Sequence, residues 1–138
     1  MENLKKRDIN QIDMLHKELA DKIIACFYKV YTNLDYGFLE KVYENAMLVE
    51  LNKNDLKAIS QYPVKVKYDG VSVGEYFADI IVEDKAITEL KANANLVPEN
   101  ILQLQNYLKA TDIEVGLLLN FGKRPEIRRK TFLNQYKS

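Results

Sequence analysis

Apolar positions Leu15, Leu19, Ile23, Cys26, Phe27 and Val30 recur every three or four residues from about Met14, the spacing of a helix with one buried face. The helix is expected to end before Asn33-Leu34-Asp35-Tyr36-Gly37, where turn formers accumulate. Phe38 and Leu39 open a second helix carrying Val42, Tyr43, Ala46, Met47 and Val49-Glu50-Leu51, which fades into Asn52-Lys53-Asn54-Asp55. The rhythm then changes. Leu56 to Ile59 begins a strand and Tyr62 to Tyr68 alternates as one, with Pro63 confined to a start or an edge because it lacks a backbone donor. Asp69-Gly70 marks a tight turn. Phe77 to Val82 and Ala86 to Leu90 are apolar runs separated by Glu83-Asp84-Lys85, a hairpin signature. After an irregular link from Asn93 to Pro98, a third helix is expected from Asn100 to Thr111-Asp112, with Ile101, Leu104, Tyr107 and Leu108 on its apolar side. Val115 to Leu119 is wholly apolar and suits only a sheet interior, and Asn120-Phe121-Gly122 then turns the chain.

The central hairpin carries the candidate chemistry. Alternation puts Ile87, Glu89 and Lys91 on one side of a strand and Thr88 and Leu90 on the other. Antiparallel pairing across the polar turn brings Asp79 beside Glu89, so two carboxylates and an ammonium converge. Asp79, Glu89 and the backbone carbonyl of Leu90, joined by Glu40 if it points inward, are hard oxygen donors suited to Mg²⁺ or Mn²⁺. Such ions activate water and stabilise the charge that develops on a phosphodiester during hydrolysis. Lys91 would act beside them, and Gln103 would position water or substrate from the third helix. The bland alternative is a solvated Glu-x-Lys face, with Glu40 serving only to complement unpaired backbone donors at a helix start.

Composition narrows the field. The 138 residues suit one domain, with 1–13 as a polar lead-in and 14–138 as the folded unit. Twenty basic and twenty acidic residues leave no net charge, so nucleic-acid contact requires a local patch. The densest, Lys123, Arg124, Arg128, Arg129 and Lys130, reads either as a solvated edge or as a phosphate contact. Nine tyrosines are not organised along the sequence as a stacking platform. One cysteine excludes an internal disulfide and fits a cytoplasmic protein with Cys26 packed in its helix; a single histidine excludes a Cys/His zinc site. His16 and Cys26 stand roughly 15 Å apart along one helix, too far for a catalytic pair. No signal peptide, apolar span or glycine-rich phosphate loop is visible. Glycosidase chemistry by Asp79 and Glu89 finds no tryptophan or evident sugar cleft to support it.

Gly37-Phe38-Leu39-Glu40-Lys41-Val42-Tyr43 resembles the signature of the GxxExxY protein family, a branch of the PD-(D/E)XK nuclease-like superfamily. The likeness continues through Gln61-Tyr62-Pro63-Val64, Ala78-Asp79-Ile80, Thr88-Glu89-Leu90-Lys91-Ala92, Gln103 with Asn106-Tyr107-Leu108-Lys109-Ala110, and Gly116 to Gly122. It implies an α/β fold with the αβββαβ core, in which a three-stranded antiparallel meander and a further strand are flanked by helices. It also implies Asp79 and Glu89 as metal ligands, Lys91 as the active-site lysine, Glu40 as an additional helix carboxylate and Gln103 as the helix glutamine. The implied activity is metal-dependent cleavage of nucleic acid, DNA rather than RNA, by a chain whose size would favour pairing as a homodimer. The chain departs from the family at Tyr31, where members often carry His, at Asp35, often Gly, near Asn100, sometimes His, and at Phe77, where Arg is frequent. Those losses bear on substrate positioning and leave a noncatalytic nucleic-acid or protein-binding module as the alternative.

Overall fold

The computed structural model describes residues 9–137. The first part of the polar lead-in therefore lies outside the described residues, and its end forms a short helix, α1 (Ile9–Met14). Helix α2 (Lys17–Leu34) buries Ala20, Ile23, Cys26, Phe27 and Val30, the stripe expected from the periodicity. It continues past Asn33, whose side-chain amide donates to the Lys29 carbonyl. The chain leaves helical geometry only at Asp35, with φ 59° and ψ −171°.

That conformation is essentially reserved for glycine. Tyr43 of helix α3 (Glu40–Lys53) fixes it from outside: its hydroxyl donates to the Asp35 carbonyl at 2.6 Å and accepts from the Phe38 N–H at 3.2 Å. The Tyr43 ring is fully buried and stacks on Phe121 at 4.2 Å. Within Gly37–Tyr43, then, the tyrosine anchors the turn between two helices. Asp35→Gly is expected to stabilise the protein by about 1 kcal/mol, after loss of the short aspartate cap on Tyr36. Thermal or urea denaturation reads this directly.

Five strands form one sheet in the order β1 (Ala58–Tyr68), β2 (Val71–Val82), β3 (Ala86–Lys91), β4 (Val115–Phe121), β5 (Pro125–Thr131). β1, β2 and β3 make the expected antiparallel meander, and β4 lies parallel to β3 after the crossover through helix α4 (Pro98–Lys109). The structure departs from the sequence expectation in three places. The two segments at 56–59 and 62–68 form a single β1, with Gln61 at φ 55° where they meet. Pro63 lies on an edge strand, as expected of a residue without a backbone donor. α4 starts at Pro98, which suits the first helical position, while the Asn100 side chain accepts the Val97 N–H. The basic segment after Gly122 pairs with β4 as a fifth strand.

β4 is buried along its whole length, so both faces of the sheet are covered. On one side, α2 and α3 pack on Ile80, Val82, Ala86, Leu90, Val115, Leu117, Leu119 and Phe121. On the other, Leu104, Tyr107 and Leu108 of α4 pack on Ala78, Ile81, Ile87 and Leu118. Cys26 is buried in the first layer, and burial raises its thiol pKa, which fits a packing role. Among the described residues no helix is long and apolar enough to cross a membrane.

Candidate active site

The β1–β2 hairpin changes face midway. Ile80 and Val82 serve the α2/α3 layer, whereas Ala78, which has the same parity along β2, serves the α4 layer. The change falls where Gln61 would oppose Asp79: Ser60 pairs with Ile80 and Tyr62 with Ala78, but the residues between are unpaired. β2 and β3 also part here, since their ladder covers only Ile80–Val82 with Ala86–Thr88. The sheet therefore opens around Asp79.

The two carboxylates replace the missing ladder bonds. The Asp79 N–H donates to Glu89 Oε1 at 2.8 Å, and the Leu90 N–H donates to Asp79 Oδ2 at 2.8 Å. A strand residue directs its N–H and C=O toward the same neighbour, so the Leu90 carbonyl also faces this opening. Asp79 is half-buried and Glu89 only 4% exposed. Burial, then the charge of Asp79, pushes the Glu89 carboxyl up to about 8. Asp79 is raised too, first by burial and then by Glu44, against the lowering pull of the Leu90 N–H and Lys91. Lys91, half-buried at the end of β3, is the cation acting on both carboxylates.

Asp79, Glu89, Leu90 and Lys91 thus come together as expected. Glu40 does not join them: it stands exposed on the first turn of α3, and its side chain makes no hydrogen bond or ion pair among the described residues. The helix carboxylate that reaches inward is Glu44, 4% exposed, held by Lys41 Nζ at 2.7 Å and Gln61 Nε2 at 3.0 Å. Both glutamates share a helix side with buried Tyr43 and Met47, but Glu40 lies at the first turn and Glu44 one turn further in, between the two buried residues. Glu44→Gln is expected to lower metal affinity or turnover about tenfold by relaxing Gln61 and Asp79, while Glu40→Gln stays within about twofold. Paired metal titrations and cleavage assays of the two variants check the contrast.

The second residue missed by the sequence reading is Tyr107. Its ring packs with the α4 layer, and its hydroxyl pKa is pushed up to about 12 by burial and then by the charges of Glu89 and Asp79 and by Tyr76. Its apolar spacing with Leu104 and Leu108 concealed that role. Gln103, one turn earlier, is half-buried, and its side chain makes no hydrogen bond among the described residues. The link from β3 to α4 is held by buried Asn120, which bonds both main-chain groups of Asn93 and also reaches Glu126. A side chain at Gly122 would collide with the Asn93 carbonyl, so glycine is required there.

Among the described residues no group of three or more His, Cys, Asp or Glu side chains is arranged to hold a metal. The donor set available is smaller: two carboxylates and one carbonyl. It still fits a hard divalent cation, because all three donors are oxygens and, once Glu89 ionises, half-buried Asp79 and buried Glu89 carry one more charge than the single ammonium beside them balances.

Comparison with known proteins agrees with this architecture. The family model of the PD-(D/E)XK nuclease superfamily matches residues 17–130. The chain belongs to that superfamily, whose nucleases generally use divalent metals. The crystal structure of SSO0001 has a similar fold, with TM-score 0.51 and 16% identity over 89% of this chain. The matched part spans 63% of that protein's length. No curated protein matches the chain.

Proposed function

We propose that this protein is a divalent-metal-dependent nuclease of the GxxExxY branch, hydrolysing phosphodiester bonds in DNA. The observation that carries the reading is the reciprocal bonding of Asp79 and Glu89 at the point where β2 and β3 separate, with Lys91 beside them. Mg²⁺ or Mn²⁺ bound by Asp79, Glu89 and the Leu90 carbonyl would supply Lewis-acid chemistry to water and phosphate. The main-chain bonds hold both carboxylates in place before substrate arrives. Lys91 neutralises charge developing on the phosphoryl oxygens, the Tyr107 hydroxyl is available as a neutral donor, and burial of Glu89 limits competing water. Pairing of two chains belongs to this reading as the way a small domain would address both strands of a duplex.

The experiment is cleavage of labelled DNA and RNA oligonucleotides in Mg²⁺ or Mn²⁺. Metal-dependent products that disappear in Glu89→Ala support the nuclease. One observation favours the noncatalytic alternative: the carboxylate set is limited to two residues, with Glu40 turned to solvent. Nucleic-acid binding without turnover, across varied substrates and metals, would decide for it.

A further inference from the structure

The surroundings of the carboxylates are aromatic and acidic rather than basic. Tyr76 of β2 is 52% exposed, and its ring lies 6.0 Å from that of Tyr107, which is near enough to Glu89 and Asp79 to feel their charge. Lys41 is engaged by Glu44, leaving Lys91 as the cation acting on the pair. The dense basic segment lies elsewhere. β5 is the far edge of the sheet, two strands from β3, where Arg129 bonds the Leu15 carbonyl and Arg128 the Ile127 carbonyl.

These features discriminate between forms of nucleic acid. A duplex hides its base faces and is held by phosphate contacts, which demand a run of Lys and Arg. A single strand has lower charge density and offers bases that stack on aromatic rings without sequence preference. The phosphate must also approach a carboxylate only 4% exposed beneath α4, which suits one flexible strand better than a rigid cylinder.

We propose that the site engages nucleic acid as a single strand, with a base next to the reacting phosphate stacked on Tyr76. This rests on the nuclease reading for the identity of the ligand. Phe77 supplies an internal control: it is 50% exposed on the same strand, but its side chain points to the opposite face.

The test is fluorescence anisotropy in chelator, so that binding is read without cleavage. The probes are a labelled oligothymidylate of about twelve nucleotides and a duplex of equal length. The single strand should bind more tightly than the duplex. Tyr76→Ala should weaken single-strand binding about 5- to 100-fold, while Tyr76→Phe and Phe77→Ala remain within about twofold. Four results would overturn the proposal: no binding by the wild type, duplex binding at least as tight, no effect of Tyr76→Ala, or an equal loss in Phe77→Ala. So would light scattering in which Tyr76→Ala converts a dimer to a monomer, because the ring would then belong to a protein interface. Absence of cleavage in Mn²⁺ with this binding pattern intact would count against the nuclease reading alone.

Discussion

Replacing Glu89 by glutamine is expected to stabilise the metal-free protein at pH 8 while eliminating metal-dependent cleavage. Folding raises the Glu89 carboxyl from its ordinary 4.5 to about 8. Between those values the folded state holds a proton that the unfolded chain has released. Stability contributed by the protonated group is therefore complete below about 4.5 and is lost as pH rises through about 8. The slope is at most about 1.4 kcal/mol per pH unit for one proton, and the upward shift of Asp79 acts in the same direction. Glutamine keeps an oxygen for the Asp79 N–H but carries no charge, so the variant should lose most of this pH dependence. Chemical denaturation at pH 5, 6, 7 and 8 with chelator present measures it. A wild-type curve that is flat or rises over this range would show that the carboxylate pair is not strained by burial. Cleavage by the variant should fall by at least about 100-fold, because a ligand charge is absent when the cation must be held.

Replacing Lys91 by methionine should separate binding from chemistry. The ammonium lowers the proton affinity of both carboxylates, but it also repels an incoming cation. At a pH high enough to ionise the pair, its removal should leave Mn²⁺ affinity unchanged or increased. Turnover should nevertheless fall about 100- to 1,000-fold, the scale on which loss of one positioned electrostatic group acts. A combined calorimetric and single-turnover comparison tests the split. Metal binding that falls in step with turnover would make Lys91 part of the site's architecture rather than its chemistry.

Much of this site was legible in the sequence because it obeys short-range rules. Two apolar runs around Glu83-Asp84-Lys85 fix a hairpin, and its antiparallel register, carried one residue beyond the Ile80–Thr88 pair, brings Asp79 beside Glu89. The stripe on α2 and the continuous apolar run of β4 were equally plain, since each depends on local periodicity. What escaped depends on three-dimensional position along otherwise readable elements. Glu40 and Glu44 occupy the same side of α3, but only Glu44 lies far enough along it to be covered and bonded by Gln61. Tyr107 looked like core because most of it is core, while its hydroxyl lies within the electrostatic influence of the carboxylates. β5 was hidden by its charge: an edge strand with Arg128, Arg129 and Lys130 has no apolar pattern to announce it, and charge on an edge deters further pairing. The opening of the sheet at Gln61 and Asp79 has no local signature, since Gln61 adopts a positive φ without being glycine.

The most direct measurement is calorimetric titration of the folded, metal-free protein with Mn²⁺, beside Asp79→Ala. The account predicts binding accompanied by proton release near pH 7, because Glu89 must ionise to accept the ion, and loss of that binding in the variant. No binding at millimolar Mn²⁺ by a wild type shown to be folded, or binding unchanged by Asp79→Ala, would contradict a metal centre at the opening of β2 and β3.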